Sequence, residues 1–278
     1  MKPDVGTVDN GQKAQHRANR LLASLGSDDF EALEPHLEVV ALRQDQVLYE
    51  TGDPLRHAYF PHDTVVSLVA VLSDGRSAEM AIYGREGALG LIGTAFTRQS
   101  FGRCIVQASG TASRIELERW HEVVDARPKI RQLVLHFSDA MMARVMQNVA
   151  CNAVHSVVAR ACRWILSTHD RLDGNTMPLT HEFLAEMLGV QRSTVSTITR
   201  DLQKAGFIRQ GRGEITITDR AGLEGASCEC YGAVRRSFER LLPHTYNGGA
   251  GDAPRQVQGR TMSGEASPGA RGRVRTMP

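Results

Sequence analysis

The sequence has no long apolar run. Its densest apolar stretch, residues 65–72, is far shorter than the roughly 18–20 residues that cross a bilayer. The first eleven residues are polar and lack the apolar centre of a secretory signal. We therefore expect no membrane partner and a cytoplasmic location.

Cysteine is scarce and scattered over five positions. Neither a CxxC pair nor a zinc-type spacing of cysteine and histidine occurs. Only Cys228 and Cys230 lie close together, and for them a metal or redox role is the alternative to two inert, reduced thiols. The sequence predicts no disulfide framework, no metal site and no cofactor. The remaining cysteines are Cys104, Cys151 and Cys162.

Charge of one sign is not in excess either. Thirty-three Lys and Arg residues face 31 Asp and Glu residues, a formal charge of +2, and this near-balance at first disfavours a nucleic-acid partner. Residues 247–278 hold five arginines and two acidic residues, which leaves the first 246 residues at −1. Because this tail is rich in Gly, Pro, Ser and Arg without apolar periodicity, we expect it to be disordered. It is either dispensable or an auxiliary, non-specific DNA contact.

The apolar pattern divides the 278 residues into two modest domains. Residues 12–38 have helical periodicity with a break at Gly26. From about residue 39 to 117 the period changes to two, and short strands alternate with turns before a short helical piece over 118–126. The Asp74-Gly75 pair between two apolar runs is typical of a hairpin. Many short strands without crossover helices predict a small β roll.

A long helix follows the predicted roll. From Lys129 to about Asn148 apolar residues recur every three or four positions, which predicts a helix about 30 Å long. Its apolar seam either packs only against the chain's own roll or forms the two-stranded interface of a homodimer. We expect the homodimer. Its predicted interface residues are Ile130, Val134, Phe137, Met141 and Val145.

Residues 178–219 carry the most informative pattern. Thr180 suits the N-cap of a short helix over 181–188, and Gly189 suits a sharp turn. A second helix is predicted over 191–205. One face of this second helix is apolar, whereas arginine and hydroxyl side chains occupy its first turns and its outer face. Such side chains suit phosphate and base-edge contacts in a DNA major groove, and a merely solvated surface is the alternative.

Spacing decides between these alternatives, because seven small or apolar residues fall where helix-turn-helix units place their packing residues: Leu184, Ala185, Leu188, Gly189, Val190, Val195 and Ile198. Two short apolar stretches then bracket residues 210–213, which predicts a wing hairpin with a basic tip. The predicted DNA-binding residues are Thr180, Gln191, Arg192, Ser193, Thr194, Ser196, Thr197, Arg200, Arg209 and Arg212.

In this order of elements the chain resembles the Crp/Fnr superfamily of bacterial transcription regulators over roughly residues 20–242. The resemblance implies an α+β fold: a cyclic-nucleotide-binding-like β-roll sensor (12–126), a dimerisation helix (127–150) and a winged helix-turn-helix DNA-binding domain (151–246), before the tail (247–278). It implies a homodimer that reads two half-sites of double-stranded DNA about one turn apart. It also implies control by an effector at the roll and, for an activator, contact with RNA polymerase.

The predicted roll departs from the cyclic-nucleotide-binding members of that superfamily. No Glu follows Gly90, and the position of the phosphate-binding arginine falls on Gly102, with Arg103 one place off. A cyclic phosphate needs a cation at its charge, so we expect a regulator that is not a canonical cyclic-AMP receptor. Its effector is unidentified, with Gly90, Leu91 and Arg103 as the candidate contacts.

Two other sensory chemistries can be compared with the sequence. The iron–sulfur members use an N-terminal cysteine cluster, and no cysteine precedes Cys104. Haem ligation by His57 or His62 stays open, although we expect exposed loop histidines.

In the second helix Arg192 matches the first base-reading arginine of the cyclic-AMP regulators, whereas Ser193 and Thr197 replace a Glu and a second Arg. We therefore expect a different operator.

Two functions from other classes compete with this hypothesis. A cupin-like enzyme would need an HxH metal pair, and residues 39–126 contain none, so we expect no enzyme. The second alternative is a signal-sensing or scaffold protein that carries a vestigial helix-turn-helix and does not bind DNA.

Overall fold

The protein's structure, a computed structural model, describes residues 13–92 and 97–246. The predicted tail, residues 247–278, lies outside the described residues. The amino-terminal part contains helices α1 (Arg20–Ala23) and α2 (Ser27–Leu33) and a 3₁₀ turn (Glu34–His36). These short helices contribute Leu22, Phe30 and other apolar side chains to the core of the β roll. The break at Gly26 lies between α1 and α2, as predicted.

Seven strands form the β roll in two antiparallel sheets. One sheet has the order β1-β7-β3 and the other β2-β6-β4-β5. Inward side chains of both sheets, such as Phe60, Val66 and Val106, pack in one core, and Asp74 lies in the hairpin between β4 and β5 as predicted. The strands are β1 (Glu38–Leu42), β2 (Val47–Tyr49), β3 (His57–Pro61), β4 (Val65–Val71), β5 (Ser77–Tyr83), β6 (Arg103–Ala108) and β7 (Gly110–Glu116).

Two consecutive helices close the roll, α3 (Leu117–Ala126) and α4 (Pro128–Val154). Pro128 occupies the first turn of α4, where a missing N–H costs no helical hydrogen bond. Helix α4 extends to Val154, beyond the predicted end at residue 150, and His155 is its C-cap residue. Over the residues that the structure describes, no helix is both long and apolar enough to cross a membrane.

The carboxyl-terminal half forms a second core around the predicted helix-turn-helix. A three-stranded sheet of order β8-β10-β9 packs beside its helices. The elements are α5 (Val157–His169), β8 (Thr176–Pro178), α6 (His181–Leu188), α7 (Arg192–Lys204), β9 (Ile208–Gly211), β10 (Glu214–Ile217), α8 (Arg220–Ala226) and α9 (Cys230–Leu241).

The two halves meet at a buried ion cluster. The Glu86 carboxylate, after β5, accepts hydrogen bonds at 2.9 and 2.5 Å from Arg171, which follows α5. It also lies 3.3 Å from Arg144 of α4, and all three side chains are almost fully buried. Burial alone would raise the pKa of Glu86, but the two guanidinium groups outweigh that effect and hold it below its usual value. The cluster therefore joins the roll, α4 and the carboxyl-terminal half through one ionised carboxylate.

A second contact holds the helix-turn-helix against the roll. The Ser77 hydroxyl of β5 donates a 2.8 Å hydrogen bond to Glu186 of α6. Gly189, at the turn after α6, lies against Ala78 of the same strand. The carboxyl-terminal half is thus packed onto the β4–β5 hairpin in this structure.

Candidate nucleic-acid interface and effector cavity

Helix α7 has one buried face and one exposed face. Val195, Ile198 and Leu202 are buried in the carboxyl-terminal core, as the sequence predicts. Its exposed positions include a stripe with steps of four, three and four residues, which fall on one side of an α-helix. This stripe consists of Ser193, Thr197, Arg200 and Lys204.

Local signals fix how α6 and α7 are joined. The Thr180 hydroxyl accepts a 3.1 Å hydrogen bond from the Phe183 backbone N–H and caps α6. Gly189 then ends the helix with φ +65°, a conformation that costs residues with a Cβ far more than glycine. Gln191 is the N-cap residue of α7 and is exposed, as is Thr194. The predicted caps and turn are therefore present.

Arg192 lies at the exposed amino-terminal end of α7. Its Nε is 2.5 Å from Glu182 Oε1 of α6, and both side chains are about two-thirds exposed, at 66% and 64%. An exposed ion pair contributes roughly 0–1 kcal/mol. The Arg192 guanidinium can therefore exchange Glu182 for another partner at little cost.

His181 links the elements of the candidate interface, and the sequence analysis did not identify it. Its Nδ1 lies 3.0 Å from the Ser196 hydroxyl of α7, and its Nε2 lies 2.9 Å from Gln210 Oε1 of β9 and 3.1 Å from the Thr199 hydroxyl. This histidine thus connects α6, α7 and the wing. Ser196 is half-buried in this network rather than on the exposed face where we expected it. A single histidine at a helix start gives no sequence signal for such a role.

The predicted wing is a hairpin of β9 and β10. Glu214 pairs with Gly211, so Arg212 and Gly213 form a two-residue turn at the tip. Arg209 on β9 and Arg212 at the tip are both exposed. The Gln210 backbone N–H donates a 2.8 Å hydrogen bond to the Gln203 side chain of α7, which ties the wing to the helix that carries the exposed stripe.

The predicted dimer residues of α4 lie on a different face from the one expected. Ile130, Phe137 and Met141 are buried in the chain's own roll core, and Val134 and Val145 pack against it. The apolar periodicity was correctly read, but it marks the face that meets the roll. Ile130, Phe137 and Met141 are thus covered by the chain's own roll, whereas Val134 and Val145 are half-buried.

Another face of α4 is apolar and exposed. Leu135, Met142, Met146 and Val149 are 56–66% exposed. With Asp139 between them, they follow steps of four, three, four and three, the spacing of a coiled-coil seam. We name these four apolar residues the α4 outer seam.

A cavity of about 260 Å³ lies between the β roll and α4. Among the residues that the structure describes, its lining contains no charged side chain. Burial raises the pKa of the Cys104 thiol in its wall to about 11, so this thiol is neutral near pH 7. The lining residues are Leu55, Leu68, Met80, Tyr83, Leu89, Gly90, Ile92, Ser100, Phe101, Cys104, Ser138, Met141, Met142 and Val145.

Only one of the three candidate effector contacts lines this cavity. Gly90 does so with φ +86°, and an added Cβ would lie 2.5 Å from the His57 carbonyl oxygen. Leu91 is buried outside the lining. Arg103 lies at the start of β6, where its Nε is 2.9 Å from a Glu50 carboxylate oxygen. The predicted cation at the effector site is therefore engaged elsewhere.

The two histidines of the haem alternative are not exposed loop residues. His57 begins β3 and is half-buried. His62 is buried, and its ring nitrogens lie 3.1 Å from the Thr111 hydroxyl and 2.8 Å from the Ser113 hydroxyl. Burial lowers the pKa of His62 to about 4. Both nitrogens of His62 are thus engaged by hydroxyl groups of β7.

Comparisons with known proteins agree with this geometry. Residues 159–226 match the Crp-like helix-turn-helix domain. The transcriptional regulator SdrP of Thermus thermophilus is 25% identical over 194 residues, which cover 67% of this chain and 93% of that relative.

Two solved structures share the fold. FixK2 of Bradyrhizobium japonicum superposes with a TM-score of 0.60 at 16% identity, over 69% of this chain and 98% of that one. TTHB099, a CRP-family transcriptional regulator of Thermus thermophilus, gives a TM-score of 0.56 at 21% identity, over 69% and 99% of the two chains. The chain therefore carries a match to the Crp-like helix-turn-helix domain after a β roll and a long helix, a fold that it shares with these solved structures.

Proposed function

We propose that this protein is a transcription regulator of the Crp/Fnr type, which acts as a homodimer, reads duplex DNA with α7 and responds to an apolar signal held in the cavity of its roll. The observation that carries the proposal is the exposed stripe of α7 with Arg192 beside it. This surface presents hydroxyl and cationic side chains, while the opposite face of the helix is fixed in the core.

Each basic residue has a definite role in this proposal. Arg192, at the start of α7, pairs with a guanine edge, and such a bidentate contact supplies roughly 1–3 kcal/mol of discrimination. Arg200, Arg209 and Arg212 contact phosphates, which fix the position of α7 without reading sequence. Residues 1–246 carry a net charge of −1. The affinity for DNA therefore depends on these few arginines and decreases steeply as the salt concentration rises.

The experiment begins with selection of binding duplexes from a random pool, followed by affinity measurements at several salt concentrations. Arg200→Ala should weaken binding to all sequences and reduce the salt slope by about one. Arg192→Ala should flatten the preference among duplexes. Arg119→Ala is the matched control, because Arg119 is an exposed arginine on α3 of the roll. If the protein shows no salt-dependent binding to DNA, the scaffold alternative is correct. If Arg192→Ala keeps the preference among duplexes, Arg192 does not read a base.

Dimerisation through the α4 outer seam completes the proposed reading unit. A two-fold axis along paired α4 helices presents two α7 helices to successive major-groove segments, about 34–36 Å apart. RNA polymerase is the further partner if the regulator activates. Selected duplexes should then contain two inverted half-sites spaced by about one turn, and a single half-site would contradict the dimer.

The cavity supports an uncharged, apolar effector. Its lining is aliphatic, thioether and aromatic apart from hydroxyl and thiol groups, and burying a cyclic phosphate there without a cation would be costly. Solvent extraction of the purified protein with mass spectrometry should release a neutral, hydrophobic molecule. Cyclic AMP should leave the thermal midpoint unchanged, and a saturable shift with cyclic AMP would overturn this part of the proposal.

A further inference from the structure

Four side chains with metal-binding atoms converge where α4 meets α5. Cys151 lies in the last turn of α4, and His155 ends that helix. Cys228 lies between α8 and α9, and Cys230, beyond Glu229, is the first residue of α9. One ligand atom from each of the four residues lies within 4.8 Å of the others. Two segments, 151–155 and 228–230, bring this group together, and their separation of more than 70 residues in the sequence hides it.

The distances fit a tetrahedral metal. Cys151 Sγ lies 3.5 Å from Cys228 Sγ, and Cys230 Sγ lies 3.6 Å from His155 Nδ1. A tetrahedral zinc with sulfur at about 2.3 Å and nitrogen at about 2.0–2.1 Å has ligand–ligand edges of about 3.8 Å for two sulfurs and about 3.6 Å for sulfur and nitrogen. Small side-chain movements therefore suffice to coordinate a metal ion.

The surroundings of the four ligands also suit a metal. His155 Nε2 lies 3.1 Å from a Glu229 carboxylate oxygen, so the carboxylate can orient the ring and leave Nδ1 directed to the cluster. The Gln147 side-chain amide donates a 3.0 Å hydrogen bond to Cys230 Sγ. An amide donor of this kind stabilises a thiolate.

We propose that Cys151, His155, Cys228 and Cys230 bind one Zn²⁺ as a closed structural site. Three thiolates and one imidazole are a known ligand set of structural zinc and leave no open position for substrate. Binding takes Zn²⁺ and three protonated thiols to a complex of net charge −1 and releases three protons to solvent, without any change in oxidation state.

The position of the site gives it a mechanical role. Residues 155 and 156 are the only non-helical residues between α4 and α5, so the carboxyl-terminal half leaves the long helix at this junction. The metal would tie this junction to the turn between α8 and α9. Bound zinc should therefore set the angle at which the helix-turn-helix is presented.

The test uses the full chain purified under reductant, with metal content measured by elemental analysis and affinity measured against a chromophoric chelator. We expect about one zinc per chain, and a Cys228→Ser/Cys230→Ser variant should retain less than about a tenth of it. Cys104→Ala is the matched control, because it removes a buried thiol of the roll and should leave the zinc content unchanged.

A second variant, at an exposed residue, separates a loss of zinc affinity from misfolding. Glu229 is 76% exposed, so Glu229→Gln should fold normally but bind zinc about 10–100-fold more weakly, since it loses the charge that orients His155. Glu118→Gln on α3 serves as its control. Cobalt added to the metal-free wild type should give the intense visible absorption of a tetrahedral thiolate complex.

Three results would overturn the proposal. One is a wild-type chain that binds neither zinc nor cobalt after reconstitution. Another is full zinc retention in Cys228→Ser/Cys230→Ser. The third is recovery of Cys151 and Cys228 as a disulfide from reductant-treated, metal-free protein.

Discussion

Replacing Met146 by glutamate should convert the protein from dimer to monomer without unfolding it. Met146 lies in the middle of the α4 outer seam and is 63% exposed. Full burial of a methionine or leucine side chain contributes roughly 1.5–3 kcal/mol, so covering the exposed part of Met146 contributes about 1–2 kcal/mol. A symmetric interface counts each substitution twice, which gives about 2–4 kcal/mol before the repulsion of two facing glutamates is added.

This loss raises the dissociation constant of the dimer by about 30-fold to 1,000-fold, at 1.4 kcal/mol for each factor of ten. Sedimentation velocity over a concentration series measures it directly. Leu72→Glu is the matched control, because Leu72 is an apolar residue that is 53% exposed on the β4–β5 hairpin. Phe137→Ala should have the opposite pair of effects. It should lower the free energy of unfolding by about 3–5 kcal/mol but leave the α4 outer seam, and with it the proposed dimer, unchanged. A dimer that survives Met146→Glu, or a folded monomer produced by Phe137→Ala, would refute the assignment of the two faces.

Three further outcomes follow from the buried polar groups and the strained turn. The pKa of His62 is about 4 in the folded state against 6.5 in the unfolded chain, so the unfolded state takes up a proton first and stability should fall between pH 6.5 and 4, by roughly 2–3 kcal/mol. Denaturant midpoints across this range should show a shallower slope in His62→Gln, and an identical slope would contradict the prediction. Glu86→Gln leaves two buried guanidinium groups without a counter-charge and should cost about 3–5 kcal/mol in chemical denaturation, whereas unchanged stability would mean that the cluster is not ionised. Gly90→Ala should lower the thermal midpoint, because the residue adopts a positive φ and its Cβ would meet a carbonyl oxygen, and an unchanged midpoint would show that the turn can relax.

Features set by neighbouring residues were predictable from the sequence. The Thr180 cap, the Gly189 turn and the hairpin at Asp74 depend on the conformational preferences of a few consecutive residues. The order of β roll, long helix and winged helix-turn-helix followed from changes in apolar period. These local signals also placed the exposed stripe of α7.

Features that depend on distant contacts were not predictable in the same way. Helix α4 is apolar on two faces, and periodicity alone does not say which face meets the roll and which stays exposed. The His181 network combines three separate elements. The position of Arg103 beside Glu50 rather than in the cavity depends on how β2 pairs with β6, which no spacing rule reveals.

The two-sided packing of α4 restricts the ways in which a signal can travel. Turning this helix about its own axis would carry Ile130 and Phe137 out of the roll core, so rotation is the costly degree of freedom. Tilting or sliding keeps those side chains covered and concentrates the displacement at residues 155 and 156. Met141 and Val145 form part of the cavity wall, so a molecule that fills the cavity pushes on the helix sideways. In the proposed response the long helix would tilt about its contact with the roll and so displace the helix-turn-helix that follows it.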